Sequence, residues 1–502
     1  MTGSRATTSL SVRDGFGARG FDFREAADYT LSTMKVRREK DSLGTIAVPA
    51  AAYRGAFTQR ALENFPISGS RPDMELFRSI AKIKIAAAEA NVKLGVLPRR
   101  IGEAISRAGR EVVDGKFDGE FVLDAFTAGA GTPFHMNVNE VIANRANEIL
   151  GGELGVYDHV HPNDHVNLGQ SSNDVIPTAI RIAALKLLEE AIPKLDLPAK
   201  TCRKLGARFR GLLKSARTHL QDAVPITLGQ ELMAYAQSLE KGTARIRAAS
   251  VSVRLLGIGA TAAGTGINAH PGYSILVVKN LRRITGLPLG NAKDLVEATS
   301  SMADLMELAN ALDEHAIELN RLCNDLRLLA SGPRTGLDEL RLPEVEPGSS
   351  IMPGKVNPSI PEMVNMVSFQ VFGAVQTVRH AVMGGQLDLN VFTPSIALNL
   401  LGMIRILGSA SLVLARGCLD GLAANRDALR GHFERSAGIA TALTPEIGYN
   451  RAAGLVKKAI QEGRSVREVL EAESGLDAKT LERLLDPSSI TRPNLRPKRR
   501  PS

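Results

Sequence analysis

In the stretch Leu305-Met-Glu-Leu308-Ala-Asn-Ala-Leu312-Asp-Glu-His-Ala-Ile-Glu-Leu319-Asn-Arg-Leu322-Cys-Asn-Asp-Leu326-Arg-Leu-Leu-Ala-Ser331-Gly-Pro333, leucines recur at intervals of three, four and one seven. That spacing sets six leucines on one face of a long helix. Ser331-Gly332-Pro333 ends it, because Gly permits a left-handed cap and Pro cannot continue the hydrogen-bond ladder. Residues 178–192, 229–256 and 398–416 repeat the pattern, and few alternating, strand-like segments occur anywhere. The expectation is a mainly α protein built around a central bundle of long helices. Aromatic residues make up 4% and Trp is absent, so aliphatic seams must supply the packing.

A chain of 502 residues, 44% hydrophobic and 23% charged, is long enough for two or three domains, and disorder over most of its length is excluded. The formal charge is +9, from 62 Lys and Arg against 53 Asp and Glu. Part of the excess lies among prolines at Arg492, Arg496, Lys498, Arg499 and Arg500, so residues 491–502 read as a solvated basic tail. With few aromatics for base stacking, nucleic acid is not an expected partner. A tail that binds nucleic acid or acidic partners is the alternative from another functional class.

Residues 1–39 read as a disordered extension, with Met34 an alternative start. Asp14, Asp22, Glu25 and Asp28 speak against a transit peptide. Cys202, Cys323 and Cys418 have no spacing suited to a disulfide framework or a zinc site, which fits a reducing cytoplasm. No apolar run approaches the roughly 18 residues of a membrane span, so no membrane association is expected. No dinucleotide or phosphate loop in a convincing context points to a cofactor, and none is expected.

Four polar segments interrupt the helical periodicity, and loops on a rigid scaffold are where chemistry is usually placed. In Gly129-Ala-Gly-Thr132-Pro-Phe-His-Met-Asn-Val-Asn139, small residues let the backbone approach a ligand before a helix near Asn139. A helix-capping turn explains the same residues. His161-Pro-Asn-Asp-His165 leads into Gln170-Ser-Ser-Asn-Asp174, where Ser171, Ser172 and Asn173 supply short donors that one N-cap does not exhaust. His159, His161 and His165 invite a metal reading, but the loop has no Cys and no regular ligand pair, so no metal is expected. Arg217-Thr-His-Leu-Gln-Asp-Ala-Val-Pro225 reads as an irregular segment that places His219 beside a hydroxyl, ahead of a helix from about Thr227. Gly348-Ser-Ser-Ile-Met-Pro-Gly-Lys-Val-Asn357 offers two hydroxyls, a cation and an amide within a Pro- and Gly-rich stretch that reads either as a loop closing over a ligand or as a solvated connector.

This fourth segment resembles the hallmark loop of the fumarase/aspartase superfamily, and the other three match in order and spacing from about Lys40 to Pro487. The resemblance implies a mixed N-terminal domain (40–173), a central helical bundle (174–428) and a small helical C-terminal domain (429–490). It also implies a homotetramer in which loops of three subunits build each site. Ser349 then matches the general base and His219 a second catalytic position. Thr132, Ser171, Ser172, Asn173, Thr218, Ser350, Lys355 and Asn357 match substrate contacts, with Glu362 in support. His161, Asn163 and Asp164 match a secondary anion site. Pro133, Phe134 and His135 depart from the pattern, standing where the family often has small polar residues and an Asn.

The implied reaction removes a C3 proton next to a carboxylate of a small dicarboxylic acid, giving an aci-carboxylate that several donors must already face. Ala128-Gly-Ala-Gly-Thr132, Asp294-Leu-Val-Glu-Ala-Thr-Ser300, Cys323-Asn-Asp-Leu-Arg-Leu-Leu329 and Lys355-Val-Asn-Pro-Ser-Ile-Pro-Glu-Met-Val-Asn365 resemble the aspartases. Arg217-Thr-His-Leu-Gln-Asp222, Gln170-Ser-Ser-Asn-Asp174 and Ile447-Gly-Tyr-Asn450 resemble the fumarases. Elimination of ammonia from L-aspartate is the expected activity, and hydration of fumarate the alternative.

Overall fold

The computed structural model describes residues 35–493. The expected extension up to residue 34 and the tail beyond residue 493 lie outside the described residues. Residues 36–39 belong to the fold and not to an extension. Strand β1 (Val36–Asp41) pairs antiparallel with β2 (Gly44–Pro49).

Next come helices α1 (Ala56–Asn64), α2 (Met74–Lys93), α3 (Arg99–Val113) and α4 (Thr132–Ile149). Helix α4 opens seven residues before the expected start at Asn139. Gly131 turns the chain with a positive φ of 78°, and Pro133 sits in the first turn, where no N–H is needed. Helix α5 (Ser172–Arg208) runs through Pro177, Pro193 and Pro198, well past the end expected at residue 192. Its apolar face continues across these prolines at Leu188, Ala191, Leu195, Ala199, Cys202 and Leu205, and that burial overrides the local cost of the prolines. The expected domain boundary at 173/174 therefore falls inside the first turn of α5.

Strands β3 (Leu213–Thr218) and β4 (Gln221–Thr227) form a second hairpin, which replaces the irregular segment expected around His219. Helices α6 (Leu228–Ala249), α7 (Tyr273–Thr285), α8 (Ala303–Leu329), α9 (Ser359–Met383) and α10 (Thr393–Leu414) follow. The bundle is a closed ring in which α5 packs on α6, α6 on α8, α8 on α9, α9 on α10, and α10 back on α5. Its apolar core continues without a break into α2, α3 and α4. A separate cluster, including Phe433, Leu443, Leu455, Leu470 and Leu481, gives the C-terminal helices a core of their own. The two clusters divide within α11 (Arg426–Arg435), with Leu429 in the first and Phe433 in the second.

The six leucines of α8 are all buried. His315 occupies the gap of seven between Leu312 and Leu319, wholly buried against Gly242, with no partner for either ring nitrogen among the described residues. The expectation about membrane-length runs needs correcting, because residues 393–419 are long and apolar enough to span a membrane. Here that stretch is a bundle helix. Ile396, Leu400, Ile404 and Leu407 are buried between α5 and α9, and Arg405 pairs with Asp73.

Burial pushes His315 down to about 4, from an ordinary value near 6.5. The unfolded chain therefore takes up this proton more readily. Stability is full above pH 6.5 and falls as pH drops from 6.5 toward 4, by up to about 3 kcal/mol. His315→Leu is expected to flatten that part of the profile in thermal melts followed from pH 7 to 4.

Candidate active site

Two helix N-termini meet at one cavity of about 1100 Å³, bordered by Thr132, His161, Asn163, Gln170, Ser171, Ser172, Asn173, Thr261 and Ala262. Thr132 opens α4 and Ser172 opens α5, so the unsatisfied N–H groups and positive dipole ends of both helices lie at its wall. Such a wall suits a carboxylate. A Cβ on Gly131 would stand 2.9 Å from Ile176, so only glycine lets the two helices come this close.

Ser171 is the N-cap of α5: its Oγ accepts from Asn173 N at 3.2 Å, while the Asp174 carboxylate accepts from Ser171 N at 3.0 Å. The cap uses an acceptor site on Ser171 and leaves its O–H to donate. Asp174 also accepts from Gly259 N at 2.9 Å and Thr261 N at 3.0 Å, and Asn173 Nδ2 donates to Ala262 O at 2.7 Å. These bonds strap the 259–262 loop to the helix start. Burial raises Asp174 to about 6, against the opposing pull of its N–H partners and Lys84.

His161 borders the same cavity, and its Nδ1 accepts from Asn163 N and Asp164 N, each at 3.3 Å. Asp164 faces outward, and among the described residues no group of three or more His, Cys, Asp or Glu is disposed to hold a metal. Glu140, at the back of the cavity, accepts from Gly55 N, Phe57 N and Thr58 Oγ1 and so fastens α1 to α4. Burial raises its carboxyl to about 7.

The remaining expected residues do not border this cavity. Thr218 and His219 are exposed at the tip of the β3–β4 hairpin, where His219 (φ 55°) and Leu220 (φ 60°) take the left-handed conformation that glycine or asparagine usually fills. Two such residues in succession store strain of the kind found at working sites. The base of the hairpin is firm. Glu339, fully buried, meets Lys214 Nζ at 2.8 Å, Arg217 Nη2 at 2.6 Å and His432 Nδ1 at 3.0 Å. Burial alone would raise its carboxyl, but Arg217, Lys214 and His432 outweigh it and hold Glu339 at about 2.

Ser349 lies in a third place, in the loop before α9. Its Oγ accepts from Ile351 N at 3.2 Å and Met352 N at 3.0 Å, two backbone donors that stabilise negative charge on that oxygen. The loop is closed on itself by Gly348 N to Lys355 O at 2.9 Å and Asn357 Nδ2 to Gly348 O at 2.8 Å. A Cβ on Gly348 would stand 2.6 Å from the Lys355 carbonyl oxygen, so this closure requires glycine. Ser350 and Lys355 are exposed, and Glu362 pairs weakly with Arg327 at 3.9 Å rather than with His219.

One chain thus carries three separate clusters: the cavity wall, the hairpin tip and the Ser349 loop. Not anticipated from the sequence were Asp174, Glu140 and Lys84. A lysine inside the apolar run Ile83-Lys84-Ile85-Ala86-Ala87-Ala88 of α2 was the available signal for the last.

A family model described as Lyase matches residues 44–373, and one described as Fumarase C C-terminus matches residues 439–492. The chain belongs to the fumarase/aspartase superfamily of lyases. It is 44% identical to an aspartate ammonia-lyase of Bacillus sp, over 92% of this chain and 98% of that one. It is 43% identical to a class II fumarate hydratase of Bradyrhizobium diazoefficiens, over 91% and 97%. A solved structure described as fumarate lyase:delta crystallin from Brucella melitensis, bound to cobalt, superposes with a TM-score of 0.88 at 46% identity, over 91% of this chain and all of that one.

Asp174→Ala strands three backbone N–H groups, two of them in the 259–262 loop. At about 1–3 kcal/mol for each group left buried, a loss of several kcal/mol is expected, read as a lower midpoint in urea unfolding.

Proposed function

We propose that the protein is an aspartate ammonia-lyase acting as a homotetramer, in which the three clusters of different subunits meet to form each site. The observation that carries this reading is Ser349 Oγ held by two backbone N–H groups in a self-closed loop that does not border the donor-lined cavity of its own chain. A serine is a poor base until its alkoxide is stabilised, and these donors, with Lys355 in the same loop, supply that stabilisation.

In the assembled site the Ser349 alkoxide takes the C3 proton of L-aspartate. The electron pair moves into the adjacent carboxylate, forming a dianionic aci-carboxylate. Thr132, Ser171 and Ser172, backed by two helix N-termini, face that charge. As the carboxylate re-forms, the pair makes the C2–C3 double bond, the C2–N bond breaks, and ammonia departs to leave fumarate. Lys355, Asn357, Thr218 and His219 hold the other carboxylate, with Asn173 and Ser350 fixing the substrate's orientation and Glu362 supporting His219. His161 and Asn163 offer a secondary anion position at the rim.

Large hydrophobics left exposed on the bundle, Ile317, Met366, Phe369 and Met383, support burial of these faces between subunits. Three free, buried cysteines are compatible with a reducing cytoplasm. A second reading, fumarate hydratase, is favoured by the Arg217-Thr-His-Leu-Gln-Asp222 hairpin and by the relative of that name.

Fumarate absorbance with L-aspartate and L-malate supplied separately decides between them. Fumarate is expected from aspartate, and formation from malate alone would replace this reading by the hydratase. Ser349→Ala is expected to cut the rate by about 10³-fold or more with folding intact. A near-normal rate would remove Ser349 from the role of base.

A further inference from the structure

Behind the cavity wall lie two residues that do not border the cavity, Lys84 against Asn167 and Gln170 of its lining and His135 against Ser172. Lys84 of α2 is wholly buried, with Nζ 2.5 Å from His135 Nε2, 2.7 Å from Gln170 Oε1 and 3.0 Å from Asn167 Oδ1. The two amides have defined orientations. Gln170 Nε2 donates to Val166 O and Leu168 O, and Asn167 Nδ2 donates to Gln170 O, so both amide oxygens face the lysine. Two amide oxygens and one ring nitrogen surround Nζ, a set that the three N–H groups of an ammonium satisfy when the ring nitrogen accepts. Burial pulls Lys84 well below its ordinary value, while the nearby Asp174 carboxylate opposes that pull.

The charge of Lys84 sets the tautomer of His135. With Lys84 an ammonium, Nε2 accepts, and the single ring proton of a neutral imidazole is on Nδ1, which lies 2.8 Å from Ser172 Oγ. Burial, reinforced by the Lys84 charge, pulls His135 well below its usual value, consistent with a neutral ring. Nδ1–H donates to Ser172 Oγ and occupies an acceptor site there. The proton of Ser172 itself is then left for a partner in the cavity.

We propose that Lys84 and His135 are positioning residues that fix Ser172 as a donor toward the substrate carboxylate that gains charge, the buried ammonium polarising that donor through the imidazole. The proposal rests on the dicarboxylate-lyase reading above. No proton moves along the chain. Lys84 stays an ammonium, His135 keeps its tautomer, and the Ser172 hydroxyl becomes a stronger donor as the carboxylate gains its second charge. It also gives His135, one of the residues that departs from the family pattern, a defined task.

The test uses the full-length protein. His135→Gln is chosen because its amide oxygen can occupy the place of Nε2 and keep Lys84 satisfied, while the Nδ1 donor is lost. His135→Asn is the complement, with an amide nitrogen near the place of Nδ1. Turnover is measured with whichever of L-aspartate or L-malate yields fumarate. Binding is measured by calorimetry with succinate and with 3-nitropropionate, whose ionised nitronate copies the doubly charged carboxylate.

His135→Gln is expected to lower kcat, and to weaken nitronate binding, by about tenfold or more, with succinate affinity changed less than about threefold. His135→Asn is expected to recover most of that loss. Adding His135→Gln to Ser172→Ala is expected to cost nothing further, because the effect passes through Ser172. Equal losses for the two anions, or full additivity with Ser172→Ala, would overturn the proposal. A wild-type protein that turns over neither substrate and binds neither anion would instead overturn the lyase reading, and the relay with it.

Discussion

The carboxylate of Asp174 is the joint on which the cavity depends. Buried at the first turn of α5, it completes the cap begun by Ser171, holds the 259–262 loop through two backbone N–H groups, and supplies negative charge that acts on Lys84. A buried carboxylate is tolerated only where such donors surround it. Those donors are the elements that must stand in fixed relation if Thr132, Ser171 and Ser172 are to face one anion. The long helices act as the frame. A ring of five, closed by aliphatic seams, holds α5, α4 packs beside it from outside the ring, and the glycine at 131 lets their ends approach.

Much of this was legible in the sequence because it depends on periodicity and composition. The leucine spacing of α8 marked its buried face, and the N-cap read among Ser171, Ser172 and Asn173 lies at the start of α5. Where local rules failed, tertiary burial was responsible. The periodic stretch read at 178–192 stopped short of the end of α5, because a continuous apolar face carries the helix across Pro193 and Pro198 to Arg208. Two left-handed residues without glycine concealed the hairpin around His219, since the usual turn signal was missing. The 393–419 stretch is as apolar as a membrane span because α5 and α9 cover it.

The site residues were legible as types and only partly as a constellation. Thr132, Ser171, Ser172 and Asn173 come together in one chain, with His161 and Asn163 at the rim of the same cavity. Thr218, His219, Ser349, Lys355 and Asn357 do not join them. Lys84 escaped notice because it sits on a helix face that reads as core, and His135 was marked only as a departure from the family pattern, without a role. Their meaning appears only where the buried amides of Asn167 and Gln170 close around the lysine.

In the proposed assembly a working site draws its base and its anion donors from different chains. Two impaired variants, Ser349→Ala and Ser172→Ala, are refolded together and the mixture assayed. Mixed tetramers would contain some sites with Ser349 from one variant and Ser172 from the other, so activity well above that of either parent should return. A mixture no more active than its parents, with subunit exchange verified, would mean that each site is complete within one chain and would overturn the proposed assembly.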